Sequence, residues 1–203
     1  FRSTDGGLNW QACSEGLVSQ DVHGIAAVSD GAGGKRLLAT TNRGLHVSTD
    51  NGAHWQFQAL DAPWQYCRAV VPMPGNDAVV FLTNGDGPPG TTGRVWRSRD
   101  HGETWSPLSL PGPCNSTPWC VAVHPHDPQL VFIATNLGQL YRSTDAGQTW
   151  ERLPHEFGEI RALHWRATDY AADRPAHSIT VRPPVPTPPR SPGCAAPASR
   201  SAR

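Results

Sequence analysis

Short apolar runs separated by polar turns follow one another along most of the chain, and they come in a repeating order. A run of small apolar residues comes first: "HGIAAV" (23–28), "YCRAVV" (66–71), "WCVAVH" (119–124) and "EIRALHW" (159–165). A β-branched run ending in Thr-Asn follows it: "RLLATTN" (36–42), "AVVFLTN" (78–84) and "LVFIATN" (130–136). A glycine then turns the chain, at Gly44, Gly93 or Gly138, into a third run, "LHVS", "RVWRS" or "QLYRS". A polar turn leads into the fourth, such as "HWQFQAL" or "TWERL". Short β-branched runs bounded by Gly, Asn and Asp predict strands, and no long helical periodicity competes with them. The pattern predicts full four-stranded units at about 22–60, 65–110 and 118–153. The end of another unit is expected at 1–17 and the start of one more at 159–165.

The polar turn before the fourth strand is the most regular feature. It reads "RSTDGGLNW" (2–10), "VSTDNGAHW" (47–55), "RSRDHGETW" (97–105) and "RSTDAGQTW" (142–150). Its aspartates, Asp5, Asp50, Asp100 and Asp145, are spaced by 45, 50 and 45 residues, a period that suits one four-stranded propeller blade. The longer interval holds the Gly/Pro-rich insertion "NGDGPPGTTG" (84–93), which lengthens a loop and leaves the strands untouched. Each residue type has a reason to be there. Asp folds its carboxylate back onto backbone N–H groups of the turn, and Ser adds a weaker bond. Gly supplies a positive φ. Trp opens the next strand and is expected to bury its ring against neighbouring sheet. In the first strand, Ala26, Ala69, Ala122 and Ala162 fall at one position, as the crowded axis of a propeller requires.

The string Ser-x-Asp-x-Gly-x-x-Trp resembles the Asp-box, or BNR, repeat. It matches at Ser3/Asp5/Gly7/Trp10, Ser48/Asp50/Gly52/Trp55, Ser98/Asp100/Gly102/Trp105 and Ser143/Asp145/Gly147/Trp150. The resemblance implies a β-propeller of the type shared by sialidases, xyloglucanase-like glycosidases, sortilin-type receptors and photosystem II assembly factors. It marks a fold and does not choose among those functions. The expected architecture is all-β: a partial, open propeller of four-stranded antiparallel blades, about three full and two partial, over residues 1–166. Closed propellers need about 4–8 blades, and an open arc exposes strand edges. The sequence is therefore expected to be a fragment or a truncated reading frame.

Composition sharpens this only in places. The 203 residues carry 17 basic and 17 acidic side chains and no Lys/Arg block, so nucleic acid is not an expected partner. No apolar run is long enough to span a bilayer. Lys35 is the only lysine. Residues 167–203, rich in Pro, Arg and Ala, are expected to be a disordered tail, either native or read out of frame. Five cysteines, Cys13, Cys67, Cys114, Cys120 and Cys194, form no Cys-x-x-Cys pair. They read as free, mostly buried thiols, with a Cys114–Cys120 bridge open only to an oxidising compartment. The compartment itself is left open, secreted or periplasmic included.

Propeller ligands meet the loops at one end of the central channel. The candidate binding face is therefore Asp21, His23, Arg43, Trp64, Tyr66, Asp86, Trp119 and Glu159, with His23, Tyr66, Trp119 and Glu159 at the rim of the axis. Its aromatics suit stacking on sugar rings or gripping a partner's side chains, or else capping the core between blades. Glycoside hydrolysis needs two carboxylates; Asp21, Asp61, Asp86 and Glu159 lie on candidate loops, but no local motif pairs them. A sialidase also needs an arginine cluster and a tyrosine nucleophile; Arg43, Arg68 and Arg161 are available, yet no Phe-Arg-Ile-Pro appears. "HPHDP" (124–128) reads as turn chemistry rather than a metal site, and no P-loop or GxGxxG occurs. No catalytic residue, metal or cofactor is assigned. The expectation is a non-catalytic scaffold that binds a protein or carbohydrate ligand; the alternative is part of a secreted glycoside hydrolase, sialidase-like or xyloglucanase-like.

Overall fold

The computed structural model describes residues 1–165. Twelve strands form three four-stranded antiparallel sheets, each a meander in chain order, and no helix occurs among the described residues. Blade 1 holds β1 (Val22–Ser29), β2 (Lys35–Thr41), β3 (Gly44–Ser48) and β4 (Gln56–Gln58). Blade 2 holds β5 (Tyr66–Met73), β6 (Asn76–Gly85), β7 (Gly93–Ser98) and β8 (Ser106–Pro107). Blade 3 holds β9 (Pro118–Val123), β10 (Val131–Thr135), β11 (Leu140–Ser143) and β12 (Glu151–Arg152). The first strands line up, β1 against β5 and β5 against β9. The tail expected over 167–203 lies outside the described residues.

The core lies between the blades rather than within them. Strand side chains alternate faces, so a sheet covered on both sides buries consecutive residues. In β6, Val80 and Leu82 join Leu38, Leu45 and Val70 in one cluster, while Phe81 joins Val131, Ile133 and Tyr141 in a second. All three of Val80, Phe81 and Leu82 are fully buried. The bulky rings fill the gaps: Trp96 in the first cluster and Tyr141 in the second are fully buried.

The Ser-Asp-Gly turns are closed by the same bonds in all four copies. Each serine Oγ accepts the N–H of the glycine four residues on, at 2.8 Å for Gly7, Gly52, Gly102 and Gly147. Each serine hydroxyl donates to the aspartate, at 2.8, 2.8, 2.7 and 2.8 Å. The aspartate Oδ1 accepts the backbone N–H of Asn9, His54, Thr104 or Thr149 at 2.8–2.9 Å. The side chain of that same residue donates to Oδ2: Asn9 at 2.6, His54 at 2.7, Thr104 at 2.5 and Thr149 at 2.6 Å. These bonds hold the carboxyls of Asp5 and Asp145 down to about 2. The backbone N–H of Asn9 contributes most for Asp5, and the Thr149 hydroxyl most for Asp145. Asp50 is lowered too, chiefly by the His54 N–H. At Asp100 burial pulls the other way, but the Thr104 and Ser98 bonds together outweigh it.

Two consecutive residues in each turn, not the glycine alone, have positive φ. Asn51, His101 and Ala146 sit at +58°, +58° and +59°, just before Gly52, Gly102 and Gly147. The turns also join the blades. Arg2 Nη1 donates to Asn51 O at 2.9 Å, Arg36 Nη1 to His101 O at 3.4 Å and Arg97 Nη1 to Gly147 O at 2.8 Å. Each time an arginine from the preceding unit holds the next turn. A side chain at Gly102 or Gly147 would press on Leu38 or Phe81 of the preceding blade, so these glycines permit close approach as well as the turn.

The tryptophans that end the turns depart from expectation in two ways. They do not open the fourth strands: β4, β8 and β12 begin one residue after Trp55, Trp105 and Trp150. Nor do they all bury their rings. Trp55 does, at 7% exposed. Its indole N–H donates to Cys13 O at 3.0 Å and its backbone N–H to Glu15 O at 2.8 Å, so the segment before blade 1 covers it. Trp105 and Trp150 are only half-buried. Trp105 packs on the first core cluster and Trp150 on the second, where its ring meets Phe81 edge-on with centroids 6.4 Å apart. What they lack is the contact that completes the burial of Trp55. Their indole nitrogens are shielded from solvent, yet neither finds an acceptor among the described residues to match Cys13 O. Trp10 is 61% exposed and reaches only Gly7 O of its own turn, at 3.0 Å. The turn is thus set locally, while the depth of each ring depends on which distant segment lies over it.

The partial units are thinner than the sequence pattern predicts. Residues 1–17 form one isolated bridge, Arg2 with Gln11. Residues 159–165, expected to start a strand, form no ladder, because no second strand among the described residues pairs with them. They lie along blade 3 instead: Ile160 N–H donates to Asn136 O at 2.9 Å, and the Trp165 ring packs on His124 and Phe132. Ala162 is accordingly exposed, while Ala26 is buried and Ala69 and Ala122 half-buried.

Candidate functional site

The insertion at 84–93 does more than lengthen a loop. It extends the β6–β7 ladder to Gly85 opposite Gly93. Asp86, one of the candidate ligand-binding carboxylates, is turned into its own loop. Its Oδ1 accepts the N–H groups of Thr91 and Thr92 at 2.8 and 3.1 Å, and its Oδ2 accepts the Thr91 hydroxyl at 2.6 Å. The Thr91 hydroxyl leads the bonds that hold its carboxyl below the usual range. The loop tip then ties blade 2 to blade 3, with Thr117 N–H donating to Pro89 O at 2.8 Å and its hydroxyl to Gly87 O at 2.6 Å.

The starts of β1, β5 and β9 place His23, Tyr66, Arg68 and Trp119 at one end of the sheets. The His23 ring lies 5.0 Å from that of Tyr66. Its Nδ1 is 2.7 Å from Cys67 O, and its Nε2 is 3.4 Å from the Asp21 carboxylate. With Nδ1 donating to that carbonyl, Nε2 is the ring nitrogen that faces Asp21. Arg68 lies over the Trp119 indole, its guanidinium carbon 3.9 Å from the ring centroid. A cleft of about 270 Å³ opens here, and His23, Arg68, Trp119 and Arg161 are among its walls. Arg68, named above only for a sialidase's arginine cluster and not on the candidate binding face, is thus part of this end, over Trp119 and on the wall of the cleft. The signal was its alternation with Tyr66, which sends both side chains to one face of β5.

The other candidates are dispersed. Trp64 sits under Arg94, 5.5 Å from guanidinium to ring, and Arg94 also donates to Asp61 O at 3.3 Å. Arg43 is exposed on the β2–β3 turn. Glu159 is engaged by Arg161, whose Nη2 is 2.8 Å from its carboxylate. The four cysteines among the described residues are free thiols, and burial pushes Cys67 up to about 12 and Cys114 and Cys120 up to about 11. In "HPHDP", Asp127 Oδ1 accepts the Gln129 N–H at 3.1 Å, so that carboxylate closes a turn.

Comparison with known proteins places this arrangement. Residues 93–181 match the family model Sortilin-Vps10, described as sortilin, neurotensin receptor 3. The chain is 27% identical over 128 residues to the photosystem II assembly lipoprotein Ycf48 of Synechococcus sp. (strain CC9902), covering 63% of this chain and 36% of that protein. It is 41% identical over 63 residues to vacuolar protein sorting/targeting protein 10 of Mycosarcoma maydis, covering 31% of this chain and 4% of that one. Xyloglucanase Xgh74A of Acetivibrio thermocellus is 37% identical over 68 residues, covering 30% of this chain and 8% of that one. The chain thus spans about a third or less of the length of these relatives. Among solved structures, an ancestral GH74 enzyme superposes with a TM-score of 0.52 at 21% identity, over 65% of this chain and 18% of that one. A Ycf48 structure bound to D1 peptide superposes with a TM-score of 0.50 at 19% identity, over 70% of this chain and 44% of that one. Its recurring hairpins, its core between stacked sheets and these likenesses together identify the chain as a protein of β-propeller type, the architecture it shares with Ycf48, Vps10 and the GH74 xyloglucanases.

Proposed function

We propose that the chain is a non-catalytic scaffold that binds a protein segment at the end of the sheets where β1, β5 and β9 begin. The observation that carries this reading is the Arg68 guanidinium seated over the Trp119 ring. No carboxylate pairs with Arg68 among the described residues. A guanidinium held over an aromatic ring keeps its N–H donors for a carboxylate, which they can meet in bidentate fashion. An extended segment carrying an acidic side chain or a free terminal carboxylate suits that geometry, with its apolar groups against Trp119 and Ile25. That a Ycf48 structure holds a D1 peptide supports a protein partner. Three of the four candidate carboxylates have partners of their own: Asp86 in its loop, Glu159 with Arg161 and Asp21 beside His23.

A peptide array read with free and with amidated C-termini tests this. The expected result is retention of free-carboxylate or acidic peptides, lost in both Arg68→Ala and Trp119→Ala while the thermal transition is kept. Retention that ignores charge and survives both substitutions defeats the proposal. The likeness to xyloglucanase keeps a second reading in view, that the chain is part of a glycoside hydrolase. Turnover of xyloglucan or aryl glycosides, lost in Asp21→Asn, Asp86→Asn or Glu159→Gln, decides for the enzyme.

A further inference from the structure

At the other end of the sheets the junctions between blades can be compared with one another. Where blade 1 meets blade 2, Arg36 Nη2 pairs with the Glu103 carboxylate at 2.6 Å, and Arg36 Nη1 donates to His101 O. His101 and Glu103 stand one and three residues after the turn's aspartate, Asp100. Where blade 2 meets blade 3, the same two positions after Asp145 are Ala146 and Gln148. An imidazole has become a methyl group and a carboxylate has become an amide. A groove of about 490 Å³ lies at this junction, and Met73, Val79, Arg97, Arg99, Ala146 and Gln148 are among the residues that line it. That volume falls within the usual range for small-molecule sites, about 300–1,000 Å³.

By ladder register the counterpart of Arg36 in blade 2 is Val79, so this junction lacks both members of the Arg36–Glu103 pair and has its arginines elsewhere, at Arg97 and Arg99. Arg97 lies near the end of β7 and Arg99 in the turn that follows it, and both line the groove. Neither belongs to an ion pair among the described residues. Arg97 spends one Nη on Gly147 O, and burial together with the charge of Arg99 lowers its pKa. Asp145 is the carboxylate that acts on Arg97, but its oxygens already accept the Ser143 hydroxyl, the N–H groups of Gln148 and Thr149, and the Thr149 hydroxyl.

We propose that this groove binds a small organic acid. Its carboxylate is held by Arg97 and Arg99, with the amide hydrogen of Gln148 that is not given to Asp145 O as a further donor. Its apolar body lies against Met73, Val79 and the flanking Pro74 and Pro128, which also line the groove. The site is distinct from the end of the sheets described under Proposed function and does not rest on that reading.

Calorimetric titration of the full chain with hexanoate, hexanol and inorganic phosphate tests it. The expected result is hexanoate binding with a Kd on the order of 1 mM, as a ligand of this size permits, and weaker binding of both hexanol and phosphate. Gln148→Glu supplies a competing carboxylate from within and is expected to weaken hexanoate at least about tenfold while the thermal transition stays or rises. Arg99→Ala, at an exposed residue that does not hold the turn, is expected to weaken it about fivefold or more. No detectable hexanoate binding, equal binding of hexanol or of phosphate, or wild-type affinity in both variants overturns the proposal.

Discussion

Replacing one buried serine, Ser98→Ala, is expected to cost far more than the same change at Ser3, although the two make the same bonds. In blade 2, Ser98 is 1% exposed. Its Oγ accepts the N–H of the buried Gly102 at 2.8 Å and donates to Asp100 at 2.7 Å. Alanine leaves the Gly102 N–H without an acceptor where water cannot reach it, a loss of about 1–3 kcal/mol. It also removes a hydroxyl bond to a carboxylate, worth about 1.5–3 kcal/mol when shielded but less here, since solvent reaches the Asp100 side chain. A total of about 2–3 kcal/mol follows. In the first turn Gly7 is exposed, and water takes over the bond that Ser3 made at 2.8 Å. Ser3→Ala is therefore expected to cost less than about 0.5 kcal/mol. Urea unfolding followed by tryptophan fluorescence measures both. With a slope of about 2 kcal/mol per molar urea, the Ser98→Ala midpoint falls by roughly 1 M and the Ser3→Ala midpoint hardly moves. Equal shifts in the two variants would show that burial is not what sets the strength of these turns.

Acid should weaken the fold in a defined window. Asp5 and Asp145 hold pKa values near 2 in the fold against an ordinary 3.8. Between those values the unfolded chain binds more protons, so stability is present above about pH 4 and is lost as pH falls toward 2. Thermal melts across that range should show the loss, and Asp145→Asn should flatten it. Gly138→Ala should be severe, since φ there is +93° and the new Cβ would lie 1.9 Å from Phe157 O; a loss beyond about 3 kcal/mol in urea is expected. Gly112→Ala, at φ +81° with nothing within 4 Å, should cost only about 1 kcal/mol. Ala146→Gly relieves a left-handed alanine at φ +59° and should raise the midpoint by an equivalent of about 0.5–1 kcal/mol.

The hairpin repeat was legible in the sequence because its chemistry is local. A serine, an aspartate and a glycine within a few residues close the turn by short-range bonds, and strand alternation between turns needs only a period of two. One local signal was passed over. The residue before each tryptophan, Asn9, His54, Thr104 or Thr149, always carries a side-chain donor, because the second carboxylate oxygen needs one. The depth of the tryptophans themselves was not legible: four identical positions give a buried Trp55, half-buried Trp105 and Trp150 and an exposed Trp10. What faces what between blades was hidden for the same reason, since it depends on contacts far apart in sequence. Arg36 meets Glu103 and Arg97 meets Gly147 across blade junctions, and no spacing rule links such pairs. The candidate face divides the same way. His23 and Tyr66 come together because β1 and β5 start side by side, yet Asp86 turned out to be bound to Thr91 and Thr92 of its own insertion. Sequence by itself determined the four-strand period and the chemistry of each turn. Only the packing of one sheet on the next decided which aromatic rings are buried, which arginines find carboxylates and where a cleft opens, since burial and long-range charge pairing exist only once the blades are stacked.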